Sequence, residues 1–152
     1  MNEFEDIIKD ILENETVRSM RNYRQHFNID CFEHSYNVAK ICYTIAKNFN
    51  LDYVSIARAG MLHDLFLYDW RAPKVNRKGF HAFTHGKSAC KNASELFDLS
   101  EKEKDMIIKH MWPVTPLPPK SVEGLILTFV DKYCAIKESI ICVKKKFIFS
   151  KK

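Results

Sequence analysis

Six residues of this 152-residue chain have side chains suited to holding a cation: His34, the adjacent pair His63-Asp64, His85, His110 and Asp131. Imidazole and carboxylate together ligate divalent transition metals, and imidazole-rich sets favour Fe, Mn, Zn, Ni or Co, with Mg compatible. Asp131 lies in the run "FVDKYCA" and Asp64 follows Met61 and Leu62. An aspartate among core residues is costly unless it is paired or bound to a cation. A lone histidine at a helix end is ordinarily structural, stabilised by the helix dipole. An ordered set spread over several helices reads differently. A helical bundle builds metal sites from inward-pointing ligands on several helices.

The elements that must carry these residues are legible as helices. "FEDIIKDILEN" places Phe4, Ile7, Ile8, Ile11 and Leu12 at helical spacing. "ETVRSMRNYRQHFN" carries Arg18, Arg21 and Arg24 at i, i+3, i+6, near one helical face. Asp30 reads as an N-cap with Glu33 three residues on, opening a helix whose first turn holds His34. Asp52 reads as the N-cap of a second strong helix that ends at His63-Asp64, and its small residues Ala57, Ala59 and Gly60 permit close packing. A further helix is expected from near Thr84 to Leu96 or Phe97. Another is capped by Ser100 with Glu103 and stopped by "PVTPLPPK", and a last one opens at Ser121. Between Asp64 and His81 the chain reads as an irregular loop, and long loops in small domains are often functional. The fold class expected is therefore all-α, a single domain over 1–152 with a core of about 18–140, five to seven helices and a basic tail from about 143.

Composition narrows the function. The chain is 46% hydrophobic, with only 4 Gly and 5 Pro, which suits long regular elements rather than a turn-rich sandwich. The net charge of +5 fits an anionic substrate and, less well, nucleic acid. Five cysteines with no CxxC pair read as reduced core thiols of a cytoplasmic protein. The start "MNEFEDIIKD" lacks the charge order of a signal peptide, and no apolar run approaches the ~18 residues that span a membrane. No Ser-His-Asp order, cysteine nucleophile motif or phosphate-binding glycine loop competes with the His/Asp set.

In the order His34, His63-Asp64, His85, His110, Asp131, carried on "EHSYNVAK", "AGMLHDL", "THGKSA", "IIKHMWP" and "FVDKY", the chain resembles the HD superfamily of metal-dependent phosphohydrolases. The last two histidine segments look most like the subgroup that includes bacterial diadenosine-tetraphosphate hydrolases. The resemblance implies that His34, His63, Asp64 and Asp131 hold one metal ion. It also implies that His85 and His110 hold a second, with Asp64 bridging. His110 is followed by Met111 rather than a second histidine, so protein supplies three ligands to that ion. Leu65, Phe66 and Leu67 stand where cyclic-dinucleotide phosphodiesterases of the superfamily have Gly-Lys, which argues against that substrate. The chemistry implied is cleavage of a phosphoester or phosphoanhydride by metal-activated water, with Asp64 and His63 at the reacting centre and Lys132 neutralising phosphate. The substrate expected is a small phosphorylated molecule, a nucleotide foremost. Arg21, Arg24, Lys87 and Arg71 are the expected phosphate-binding cations. Membrane and nucleic-acid partners are not expected, and a homo-oligomer is compatible. The alternative function is a metal- and nucleotide-binding regulatory protein of the same fold with little turnover. His81 is read as structural or as supporting the ligands.

Overall fold

A computed structural model describes residues 2–26, 29–70 and 80–149. The architecture is all-helical apart from one short hairpin. Five helices form the body: α4 (Cys31–Asn48), α5 (Tyr53–Leu62), α6 (His81–Leu96), α7 (Glu101–Lys109) and α8 (Val122–Phe149), preceded by α1 (Glu3–Ile7), α2 (Lys9–Glu13) and α3 (Glu15–Arg18). The expected caps are in place. Asp30 accepts the Glu33 N–H at 2.8 Å and Asp52 accepts the Ser55 N–H at 3.0 Å. Ser100 and Glu103 form a complete capping box on α7.

Several expectations change. The N-terminal helix over Phe4–Leu12 is divided at Ile8, and Asn14 restarts the chain by accepting the Val17 N–H at 3.2 Å. With the short N-terminal pieces included, the described residues form eight α-helices. Arg18, Arg21 and Arg24 do not share a helical face. A 3-10 turn (Ser19–Asn22) follows α3, and Arg24 opens β1 (Arg24–His26), which pairs antiparallel with β2 (Ile29–Asp30). Strands of three and two residues are too short to produce an alternation in sequence. At its N-terminus α6 begins three residues earlier than Thr84, and at the other end of the chain α8 continues through the expected tail to Phe149.

The core is built where apolar faces meet: Phe4, Ile8 and Ile11 from the N-terminal pieces, Val38 and Cys42 from α4, Ile56 and Met61 from α5, Met106 and Ile107 from α7, and Leu127 from α8. All five cysteines are buried and free. No helix among the described residues is long and apolar enough to cross a membrane.

One tight approach in this core is that of α5 to α4. A Cβ on Gly60 would stand 2.9 Å from Ala39 Cα, closer than real side chains approach backbone. Alanine in a helix interior otherwise gains ~1 kcal/mol over glycine. Gly60→Ala is expected to reverse that sign and lower stability by about 1–3 kcal/mol. A denaturant midpoint lower than wild type checks this; an unchanged or raised midpoint would mean that α4 and α5 are not in such contact.

Candidate metal centre

All six residues converge. Two of them sit at helix ends: His63 is the residue just past α5, and His110 the residue just past α7. The last carbonyls of a helix lack intrahelical partners. His63 Nδ1 donates to Gly60 O at 2.7 Å, and His110 Nδ1 donates to Ile107 O at 2.8 Å. On α6, His85 Nδ1 donates to His81 O at 2.8 Å. On α4, His34 Nδ1 meets the Glu138 carboxylate at 3.0 Å. In each histidine the outer nitrogen is thus committed to an acceptor, which turns Nε2 to the centre. That is how metal-ligating imidazoles are held.

Asp64 lies at that centre, 2% exposed. Its Oδ2 faces His63 Nε2 at 3.4 Å and His34 Nε2 at 3.9 Å, while Gln25 Nε2 donates to the same oxygen. Its Oδ1 faces His85 Nε2 at 3.4 Å and His110 Nε2 at 3.7 Å. Asp131 Oδ1 closes the first side, 3.0 Å from His34 Nε2 and 3.5 Å from His63 Nε2. Three groups of ligand atoms can each hold a cation: His34-His63-Asp64, His63-His110-Asp131 and Asp64-His85-His110.

The hydrogen bonding tests whether a cation fits. Among the described residues, His63 Nε2 and Asp64 Oδ1 are buried without any hydrogen-bond partner. Such orphans cost about 1–3 kcal/mol each, more when charged. His85 Nε2 and His110 Nε2 stand 2.8 Å apart with both Nδ1 atoms already donating, so with both rings neutral two lone pairs face each other. A positive centre that accepts both removes the repulsion. The donor set of imidazole nitrogen and carboxylate oxygen suits a divalent transition metal.

Charge is arranged to match. Burial opposes the charge of Asp64, yet His63, His85 and His110 hold its carboxyl below the usual carboxylate range. Asp131 is likewise held well below that range despite burial, by its bond to His34 and by His63. Burial, then the neighbouring His85 and His63, pushes His110 down to about 3, so this imidazole is neutral and has a lone pair to give. Burial also works against a charge on His34, but Asp131 and Glu138 outweigh it and lift the group to about 10.

A cavity of about 350 Å³ opens on this centre. Its floor is Asp64, His85, His110 and Asp131, its wall includes Trp70, Met111, Val114 and Ala135, and Lys132 lies at its edge. A larger cavity of about 430 Å³, around Glu101, Lys104 and Lys120, includes none of the six residues and has no comparable chemistry. Lys132 Nζ donates to His110 O at 3.1 Å and to Thr128 O at 3.3 Å, and burial lowers its pKa.

The other expected cations are elsewhere. Arg21 is exposed, with its guanidinium 3.9 Å above the Phe32 ring. Arg24 and Lys87 are exposed and are not among the residues lining the cavity. Arg71, with Lys74, Arg77 and Lys78, lies outside the described residues. Two residues that sequence reasoning missed belong to the centre. Glu138 is seven residues after Asp131, hence on the same face of α8, and that spacing could have found it. Gln25 arrives on β1, which left no sequence signal. His81 stacks on His85 at 4.4 Å between ring centroids, with Trp70 5.3 Å away on a nearly parallel plane.

Gly86 explains how α6 reaches α7. A Cβ there would stand 2.8 Å from Ile108 O and 3.0 Å from Ile107 O, the latter being the carbonyl that orients His110. Only a glycine lets His85 and His110 meet at this distance.

An all-helical bundle with an inward His/Asp cluster is the class that fold and site define. The family model described as HD domain matches residues 31–136, most of the chain and all six cluster residues, and the chain belongs to that family. HD domains are generally metal-dependent phosphohydrolases, and this cluster fits metal binding. No curated protein and no solved structure matches the chain. Gln25 and Glu138 both fall outside the matched span.

Proton linkage gives a test of the centre. With His34 raised from 6.5 to about 10, the stabilisation from its charged form is complete below about pH 6.5 and fades as pH rises through about 10. A divalent ion taking His34 Nε2 displaces that proton. Ion binding at pH 7 is expected to release protons and to weaken as pH falls. Calorimetric titration in two buffers of different ionisation heat measures this, and identical heats in both would contradict it.

Proposed function

We propose that the chain is a metal-dependent phosphohydrolase acting on a small phosphorylated substrate, a nucleotide, and that its centre holds two divalent ions. The observation that carries this reading is the division of Asp64. One carboxylate oxygen faces His34 and His63, the other faces His85 and His110. In the proposal His34, His63, Asp64 and Asp131 hold the first ion, and Asp64, His85 and His110 the second. When bound, such ions lower the pKa of water and neutralise charge developing on phosphoryl oxygens.

The chain's own residues do the rest. Gln25 and the histidine tautomers fix Asp64 so that each oxygen keeps its direction. Glu138 retains the Nδ1 proton of His34 and holds that ring in place. Lys132 has three N–H donors, of which two go to the carbonyls of His110 and Thr128. The third is left for a phosphoryl oxygen at the cavity edge. The wall of Trp70, Met111, Val114 and Ala135 offers an apolar surface to a base, and about 350 Å³ is in the range of small-molecule sites. Arg71 follows Trp70 directly in sequence and is the loop cation kept in this proposal. The exposed Arg21, Arg24 and Lys87 are assigned no part in it.

The test is phosphate release by protein reconstituted with Mn, Fe or Co, from nucleoside mono-, di- and triphosphates and dinucleoside polyphosphates. Metal-dependent turnover is expected on at least one. Asp64→Asn is expected to abolish it, and Lys132→Met to lower kcat about 10²-fold. Tight binding of metal and nucleotide with no turnover on any of these would overturn the enzymatic reading in favour of a regulatory one.

A further inference from the structure

Helix α8 carries Asp131 and Lys132 on the side facing the metal centre, and its other side is unlike a solvated surface. Eight positions between 122 and 143 are exposed, and only Lys137 among them is charged. The others are Val122, Phe129, Tyr133, Ile136, Ile140, Ile141 and Val143, with Phe129 58% and Ile136 61% exposed. A helix that is apolar on every face is buried on every face. The spacing is regular: 122, 126, 129, 133, 136, 140 and 143 advance by four and three in turn, the half-buried Ile126 completing the series. That is a heptad seam with a period of 3.5, the pattern of a helix paired with another helix.

We infer that this seam is a homodimer interface in which α8 of one copy packs antiparallel on α8 of a second copy. The observations favour self-pairing over an unlike partner. A heptad seam is self-complementary under a two-fold axis, because each apolar position meets one of the same kind. Charges flanking a seam select unlike partners, and here Lys137 alone is exposed there. The area is sufficient. Six or seven side chains of on the order of 200 Å² each, about half exposed, offer roughly 600 Å² per copy. Two copies approach ~1,200 Å², the lower end of stable interfaces. Direction follows from charge. In sequence the seam is followed by Lys144, Lys145 and Lys146. A parallel pair would bring two such runs together and align the helix dipoles; an antiparallel pair separates the runs by ~38 Å and opposes the dipoles.

Sedimentation of the full chain over a range of concentrations tests this. The expected result is a monomer–dimer equilibrium with a limiting mass of twice the chain. Phe129→Glu with Ile136→Glu is expected to give a monomer of unchanged helical circular dichroism. Tyr133→Lys is a milder second variant with the same expected shift. Val122→Cys in a Cys142→Ser background reports direction, since under oxidation position 122 links to its own copy only if the helices run parallel; no dimeric disulfide is expected. A wild-type chain that is monomeric at every concentration would assign the seam to an unlike partner and overturn the proposal. So would a dimer that survives both sets of variants, an assembly larger than two, or ready cross-linking through position 122.

Discussion

The structure is organised around one constraint: a carboxylate, Asp64, is buried among four imidazoles whose outer nitrogens are all committed elsewhere. An ionised carboxylate in a low-dielectric interior needs a compensating positive charge, and a lone-pair-bearing nitrogen there needs a hydrogen-bond donor or a cation. Among the described residues, hydrogen bonds satisfy Asp64 Oδ2 through Gln25 and leave Oδ1 without a partner. His63 Nε2 is in the same condition. In the metal-free chain the proton held by His34 between Asp131 and Glu138 supplies part of that charge. In the dinuclear state proposed above, divalent ions would supply more, on both sides of Asp64.

Helices α5 and α7 meet this constraint by ending at the centre, while α8 passes it with Asp131 and Glu138 in mid-helix. His63 and His110 follow the last turns of α5 and α7, where unpaired carbonyls set their tautomers. Gly60 and Gly86 remove the side chains that would hold α5 off α4 and α6 off α7. Gly60 does both jobs, as its carbonyl accepts from His63. Chemistry and packing therefore share atoms, and a change in helix spacing would move the ligands with it. Helix α8 extends this economy, presenting Asp131, Lys132 and Glu138 to the site and an apolar seam to the outside.

Much of this was legible in sequence because it rests on local signals. Asp30, Asp52 and Ser100 announced their helices by capping chemistry, and the apolar period placed His63 and His110 at helix ends. What was not legible depends on tertiary placement. Gln25 reaches Asp64 from a three-residue strand that no alternation could reveal. The arginines at 18, 21 and 24 read as one face because a helix was assumed, whereas Asn14 and the 3-10 turn redirect the chain before Arg24. Glu138 carried a signal, its seven-residue spacing from Asp131, but a lone glutamate on a long helix is ordinarily solvated. Expected phosphate-binding roles for Arg21, Arg24 and Lys87 rested on charge and on nearness in sequence to the expected ligands, and the cavity is lined instead by Lys132.

The claim on which the account turns is that Asp64 joins two ion sites. Elemental analysis of metal per chain, for wild type and for His85→Ala with His110→Ala, measures it directly. The account predicts close to two transition-metal ions per wild-type chain and one in the double variant, because His34, His63, Asp64 and Asp131 remain. One ion in both proteins would contradict the bridge and leave His85 and His110 as contacts to substrate. No ion in either, after reconstitution, would contradict the metal centre itself.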